Sequence, residues 1–260
     1  RWVEMGTPWP DEPVPEVVAP EKKKLGRDDG LAGWSYAELT RPEAPEVSDK
    51  QWATNGMDLF ILAKLEAAGL APAPAADRVA LIRRAFYDLI GLPPTAAEVA
   101  AFLADQGPDA FARVVDELLS RPQYGEKWGR HWLDLVRYGE TNGYERDATK
   151  PFAWRYRDYV IQSFNDDKPY DRFVLEQLAG DEIEDRTEET VVATGFLRLA
   201  TWDDEPNDPK EYRYDRLEDL VHTTSSAFLG YTVKCARCHD HKFDPIPQTD
   251  YYRLASVFWA

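Results

Sequence analysis

The sequence predicts an all-α fold: an irregular multi-helix domain with long loops and a proline-rich extended arm at its N-terminus. Apolar residues recur at three- and four-residue spacing along most of the chain from residue 55, and strand-like alternation is scarce. Seven prolines (Pro8, Pro10, Pro13, Pro15, Pro20, Pro42 and Pro45) crowd the first 50 residues, a composition that disfavours regular hydrogen-bonded ladders. At 260 residues with 43% hydrophobic and 13% aromatic side chains, the chain can bury a real core.

Residues 1–50 read as a linker or surface-wrapping arm, and residues 51–260 as the helical domain. Trp2, Trp9, Trp34 and Trp52 are large aromatics for a solvated linker and suggest an arm that docks on the body or on a neighbour. Met57, Ile61, Leu62 and Leu65 form the first helical stripe, ending at Gly69. Val79, Ile82, Phe86, Leu89 and Ile90 form the second, stopped by Gly91 and Pro93-Pro94. Thr95 and Glu98 have capping-box spacing ahead of Val99, Phe102 and Leu103, and Phe111, Val114, Val115, Leu118 and Leu119 form the fourth stripe. A fifth runs through Trp128, His131, Trp132, Leu135 and Val136, and further helices are expected over residues 154–165, 170–178, 191–199 and 213–228. Acidic stretches over 181–189 and 203–211 read as solvated loops, since neither has the Gly-centred spacing of a calcium loop. The chain starts at Arg1 and stops in an apolar helix-like stretch at Ala260, so it is expected to be truncated from a longer product.

A formal charge of −16 argues against nucleic acid or an anionic membrane surface as partner and favours a neutral or basic one. The longest apolar run, residues 99–104, is far short of the roughly 20 residues that span a bilayer. No transmembrane segment is expected.

The chemistry is expected at the only two cysteines. Cys235-Ala236-Arg237-Cys238-His239 has the Cys-x-x-Cys-His spacing in which two thiols can add to the vinyl groups of one haem while the adjacent histidine ligates the iron. Two rivals use the same atoms: a structural zinc held by Cys235, Cys238, His241 and a distant histidine, and a redox-active disulfide, which normally opens a helix after a strand. If a haem is held, His241 is too close to His239 to reach its opposite face. His131, expected on an apolar helix face, is the better sixth ligand; His222 and Met57 are the others.

Several ordered stretches resemble the planctomycete-type cytochrome c-like domain, a largely uncharacterised family found in large exported bacterial proteins. They are Arg83-Arg84-Ala85-Phe86-Tyr87-Asp88-Leu89-Ile90-Gly91-Leu92-Pro93-Pro94, His131-Trp132-Leu133-Asp134-Leu135-Val136-Arg137-Tyr138, Trp154-Arg155-Tyr156-Arg157-Asp158-Tyr159, Pro169-Tyr170-Asp171, Glu176-Gln177-Leu178-Ala179-Gly180-Asp181 and residues 235–245. The resemblance covers about residues 57–260. It implies extracytoplasmic localisation, in the periplasm or at the cell surface, and membership of a multidomain chain or larger assembly. It also favours His131, which falls inside one of these motifs. Arg137, Tyr138, Trp154, Arg157, Asp181 and the run 240–245 are polar motifs of the resemblance, with haem propionate binding, buried ion pairing or a second active site as their open roles.

The expectation is one covalent haem c with Cys235 and Cys238 as thioether anchors. His239 is the proximal metal ligand, His131 the distal one, and Arg137, Trp154 and Arg157 are further cofactor-binding candidates. The domain would be an electron carrier with no assigned catalytic residue, docking a redox partner through a basic patch on that partner, and two histidine ligands would set a lower potential than a Met/His pair. The other classes open are a zinc-stabilised interaction module, a haem peroxidase and a polysaccharide-processing enzyme.

Overall fold

The structure, a computed structural model, describes residues 38–259. Most of the predicted arm therefore lies outside the described residues, and residues 38–55 form neither helix nor strand. Ten α-helices follow among the described residues: α1 (Gly56–Ala67), α2 (Arg78–Leu89), α3 (Ala96–Ala104), α4 (Ala110–Leu119), α5 (Pro122–Leu135), α6 (Ala153–Asn165), α7 (Tyr170–Ala179), α8 (Glu188–Ala193), α9 (Pro209–Thr224) and α10 (Gln248–Val257). Among the described residues, a lone antiparallel bridge joins Thr141 and Thr149. None of the helices is long and apolar enough to cross a membrane, among the described residues. The all-α expectation holds.

Local chemistry sets most helix starts. Asn55 caps α1 by accepting from the Met57 and Asp58 amides, and Asp77 caps α2 through the Ala80 amide. The Thr95/Glu98 capping box forms as expected. Its carboxylate accepts from the Thr95 amide at 2.6 Å and from Arg121 at 2.6 Å, which hold the Glu98 pKa down at about 2. Gly91 ends α2 at φ +72°, a left-handed conformation costly for other residues.

Three apolar clusters divide the core. The first joins Ile82, Phe86 and Ile90 of the α2 region to Phe102 of α3 and Leu118 of α4. The second holds Trp132, Val136, Tyr156, Tyr159, Val160, Phe173 and Phe196 from the α5–α7 region and the turn after α8. The third joins Val221 of α9 to Val233, Ala236, Tyr251 and Ala255.

Helices α5 and α6 make the most extensive packing of the fold, and glycine permits it. A Cβ at Gly125 would sit 2.3 Å from the Ile161 carbonyl oxygen. The buried face of α5 is therefore Gly125, Gly129 and Trp132, continued by Val136. This corrects the stripe expected from the sequence: Trp128, His131 and Leu135 are exposed, because the glycines rather than the remaining apolar side chains meet α6.

Inside the second cluster, polar groups are matched. Trp132 Nε1 and the Tyr156 hydroxyl both donate to Gln177 Oε1, at 3.0 and 2.5 Å. Glu176, 4% exposed, accepts from Tyr159, Lys168 and Arg172. Burial pushes its pKa up, but those three donors outweigh burial and the net shift is downward.

Three further expectations change. In α1 only Leu62 is buried; Met57 and Ile61 are exposed because no other helix packs substantially on α1 among the described residues. The helix expected over 191–199 divides into α8 and a 3₁₀ turn, Thr194–Arg198. The helix expected over 213–228 starts earlier, at Pro209, where Asp208 accepts from the Lys210 and Glu211 amides; it then widens into a π turn, Ser225–Leu229, closed by Gly230 at φ +70°. Parts of both acidic loops are thus helix starts, with Thr187 and Asp208 as their caps.

Candidate functional site

The Cys-x-x-Cys-His segment lies in the stretch between α9 and α10. Residues Val233–Arg237 form a 3₁₀ turn, with Cys238 as its C-terminal cap residue. A 3₁₀ helix repeats every three residues, so side chains at i and i+3 share an edge. One edge carries Val233 and Ala236, which are buried against Val221, Tyr251 and Ala255. Another carries Cys235 and Cys238, both exposed as free thiols.

One residue ahead of the first cysteine and one between the two tie the turn down. Lys234 and Arg237 both pair with Glu218 of α9, whose side chain is 15% exposed; the lysine contact is 3.1 Å. From α10, Gln248 Nε2 donates to the Arg237 carbonyl at 2.9 Å and the Tyr252 hydroxyl at 3.2 Å. The turn is therefore held on both flanks while its thiols face outward.

The two histidines that follow differ. His239 is exposed, and its Nδ1 lies 2.7 Å from the Asp240 carbonyl oxygen. A carbonyl can only accept, so Nδ1 carries the proton and Nε2 keeps its lone pair, which has no partner among the described residues. A backbone carbonyl orienting the distal ring nitrogen is the arrangement metal-bound imidazoles use. His241 is the reverse, with a side chain only 5% exposed. Its Nδ1 accepts from the Asp244 amide at 2.9 Å and the Phe243 amide at 3.3 Å, so Nε2 carries the proton and donates to Thr232 Oγ1 at 3.0 Å. This imidazole closes the loop over residues 240–247 and is not available to a zinc ion. Among the described residues, no group of three or more His, Cys, Asp and Glu side chains could hold a metal ion.

The other expected site residues sit elsewhere. His131 lies on the exposed side of α5, its ring 5.5 Å from that of Trp128. His222 is in the last turn of α9, its Nδ1 3.2 Å from Ser226 Oγ. Arg137, just past α5 at φ +54°, makes a bidentate pair with Asp219 and reaches α9 one residue from Glu218. Arg157 pairs with Asp158 at 2.9 Å and Glu140 at 3.1 Å. Glu140 also accepts from Tyr138, whose pKa is pushed up to about 12 by burial and by that carboxylate. Trp154 is exposed on α6, under the guanidinium of Arg155. The structure thus gathers Cys235, Cys238 and His239 on one turn and leaves the remaining candidates on other elements. Glu218, Gln248 and Tyr252, which position the turn, carry no sequence signal beyond their place on helices.

Fold and site together define an all-α domain that presents a Cys-x-x-Cys-His turn at its surface. The chain belongs to the family described as PSCyt2: Protein of unknown function (DUF1549), a planctomycete cytochrome c-like domain family whose sequence model matches residues 56–260. No curated protein matches the chain, and no solved structure does.

Proposed function

We propose that this domain holds one covalent haem c and serves as an electron carrier. Cys235 and Cys238 would be the thioether anchors and His239 the proximal ligand. The observation that carries the reading is the His239–Asp240 hydrogen bond: it leaves Nε2 unprotonated and open beside two exposed thiols. Bound there, haem would supply a one-electron couple. The chain's own part is to hold the thiols and the imidazole on a turn fixed by Glu218, Gln248 and Tyr252. The exposed ring of Tyr252, whose hydroxyl bonds the Arg237 carbonyl, offers apolar surface beside this turn for a planar group.

In this reading His131, on α5 and with no hydrogen bond from its ring nitrogens among the described residues, would be the further residue to hold the iron. Extracytoplasmic placement belongs to the same proposal, as does a redox partner with a basic docking surface, suited to the chain's charge of −16.

The test is made on natively produced protein. The denatured chain should retain a covalently added haem by mass, and the reduced native protein should show a sharp c-type α band. An unmodified mass in colourless protein overturns the proposal. His131→Ala should remove the six-coordinate spectrum and leave the haem attached.

A further inference from the structure

A concavity lies away from the cysteine turn. It is a groove of about 460 Å³ between the loop before α6, the start of α6, α8 and the 3₁₀ turn Thr194–Arg198. Its charge is one-sided. Lys150, Arg155 and Arg198 line it with no Asp or Glu among the lining residues, in a chain whose net charge is −16.

The arginines that brace this fold carry carboxylates: Arg137 has Asp219, Arg157 has Glu140, Arg172 has Glu176, and Arg237 has Glu218. The groove differs. Arg198 has no hydrogen bond or ion pair among the described residues; its guanidinium lies 3.8 Å from the centroid of the Trp202 ring. Arg216 rests on the same indole at 4.8 Å and, among the described residues, donates only to the Leu197 and Thr201 carbonyls. Lys150 Nζ donates to the Ala200 carbonyl at 2.6 Å. Ala200 itself sits at φ +87°, a strained position for a residue with a Cβ.

Of the acidic groups nearby, Asp147 accepts from the Gly143 amide, while two reach the lining itself: Asp204 accepts from Asn142 Nδ2, and exposed Glu188 pairs with Arg155 at 3.4 Å. None of them pairs with Arg198 among the described residues. Burial, then the charges of Arg198, Arg216 and Arg137, holds Lys150 below the ordinary lysine pKa, as expected where positive charge is incompletely neutralised. The rest of the lining is largely apolar, with Phe152, Val191 and Leu199 prominent. A concave, mostly apolar wall with a few convergent polar groups is the usual form of a small-molecule site.

We infer that this groove binds a small oxyanion, a carboxylate, sulfate ester or phosphate ester carried on a planar apolar body. The oxyanion meets Arg198 and Lys150, and the body lies against Phe152, Val191 and Trp202. The site is independent of the haem reading and stands or falls without it.

The test is calorimetric titration of the 260-residue chain with benzoate, phenyl sulfate and phenyl phosphate, with benzamide as the uncharged comparison. At least one anion should bind saturably, more weakly at high salt, with benzamide silent. Arg198→Ala should weaken that binding about tenfold or more, since it removes a charge-assisted donor pair. Arg198→Lys, which keeps the charge, should retain part of it. Arg83→Ala, at the exposed Arg83–Tyr87 pair on α2, should leave it unchanged. Far-ultraviolet circular dichroism confirms that each variant is folded. Absence of binding by all three anions, equal binding of benzamide, or equal affinity in Arg198→Ala overturns the inference.

Discussion

The Arg237 guanidinium, one of the two residues between the cysteines, is paired with Glu218 of α9, and Lys234 shares the same carboxylate. The chemical turn is thereby fastened to a long helix by one residue between its thiols and one just ahead of them.

Removing that carboxylate should loosen the turn. Glu218→Gln is expected to cost about 1–2 kcal/mol, the range for hydrogen bonds to charged groups when one partner set is partly exposed. Amide exchange across residues 233–239 should accelerate more than exchange in α2–α4. Equal acceleration throughout the domain would show that Glu218 acts on global stability alone.

His239 and His241 should separate in a stability assay. His241→Ala deletes a buried ring and three hydrogen bonds and should lower stability by about 2–4 kcal/mol, a melting shift of several degrees. His239→Ala removes an exposed ring with one short-range bond, and should change stability by less than about 1 kcal/mol in unmodified protein. The reverse order in thermal melts would contradict the roles assigned to the two rings.

Glycine substitutions should rank by space. Gly125→Ala places a Cβ 2.3 Å from the Ile161 carbonyl and Gly129→Ala places one 3.2 Å from Ile161 Cγ1. The first forces backbone apart and should cost about 3 kcal/mol or more, the second about 1 kcal/mol or less. Similar denaturation midpoints for the two variants would refute this account of the α5–α6 contact.

Acid should act on Glu98 in a defined window. Its pKa falls from 4.5 to about 2 on folding, chiefly through the Thr95 amide and Arg121. A depressed carboxylate pKa gives stability that is fully present above about 4.5 and lost as pH falls toward about 2. Wild type should therefore lead Glu98→Gln by a few degrees in melting temperature at pH 6, and the gap should shrink steadily below pH 4.5. A constant gap down to pH 2 would point to a cause other than this carboxylate's charge.

What was legible in the sequence was what local chemistry decides. The Thr95/Glu98 box and the stop at Gly91 each concern residues within a few positions, and each is found as expected. Contacts made at long range were not legible. Hydrophobic periodicity counts Trp128 and Leu135 as core and cannot count glycine, so the contact face of α5 was misplaced and His131 with it. The acidic run before α9 reads as solvated loop until Asp208 is seen accepting from two helix amides. Glu218 and His241 gain their roles only when α9 and the loop after the cysteines are folded onto the turn. The same holds for the groove, whose Lys150 and Arg198 meet, with Arg216 behind them, around Trp202 and Ala200.

The thiols and the buried pair Val233 and Ala236 follow one and the same three-residue rhythm. A single residue inserted between Cys235 and Ala236 would swing the second sulfur toward the protein interior and withdraw Ala236 from its seat. Reactivity and anchorage of this peptide are thus mechanically inseparable, so lengthening the spacer would forfeit both at once.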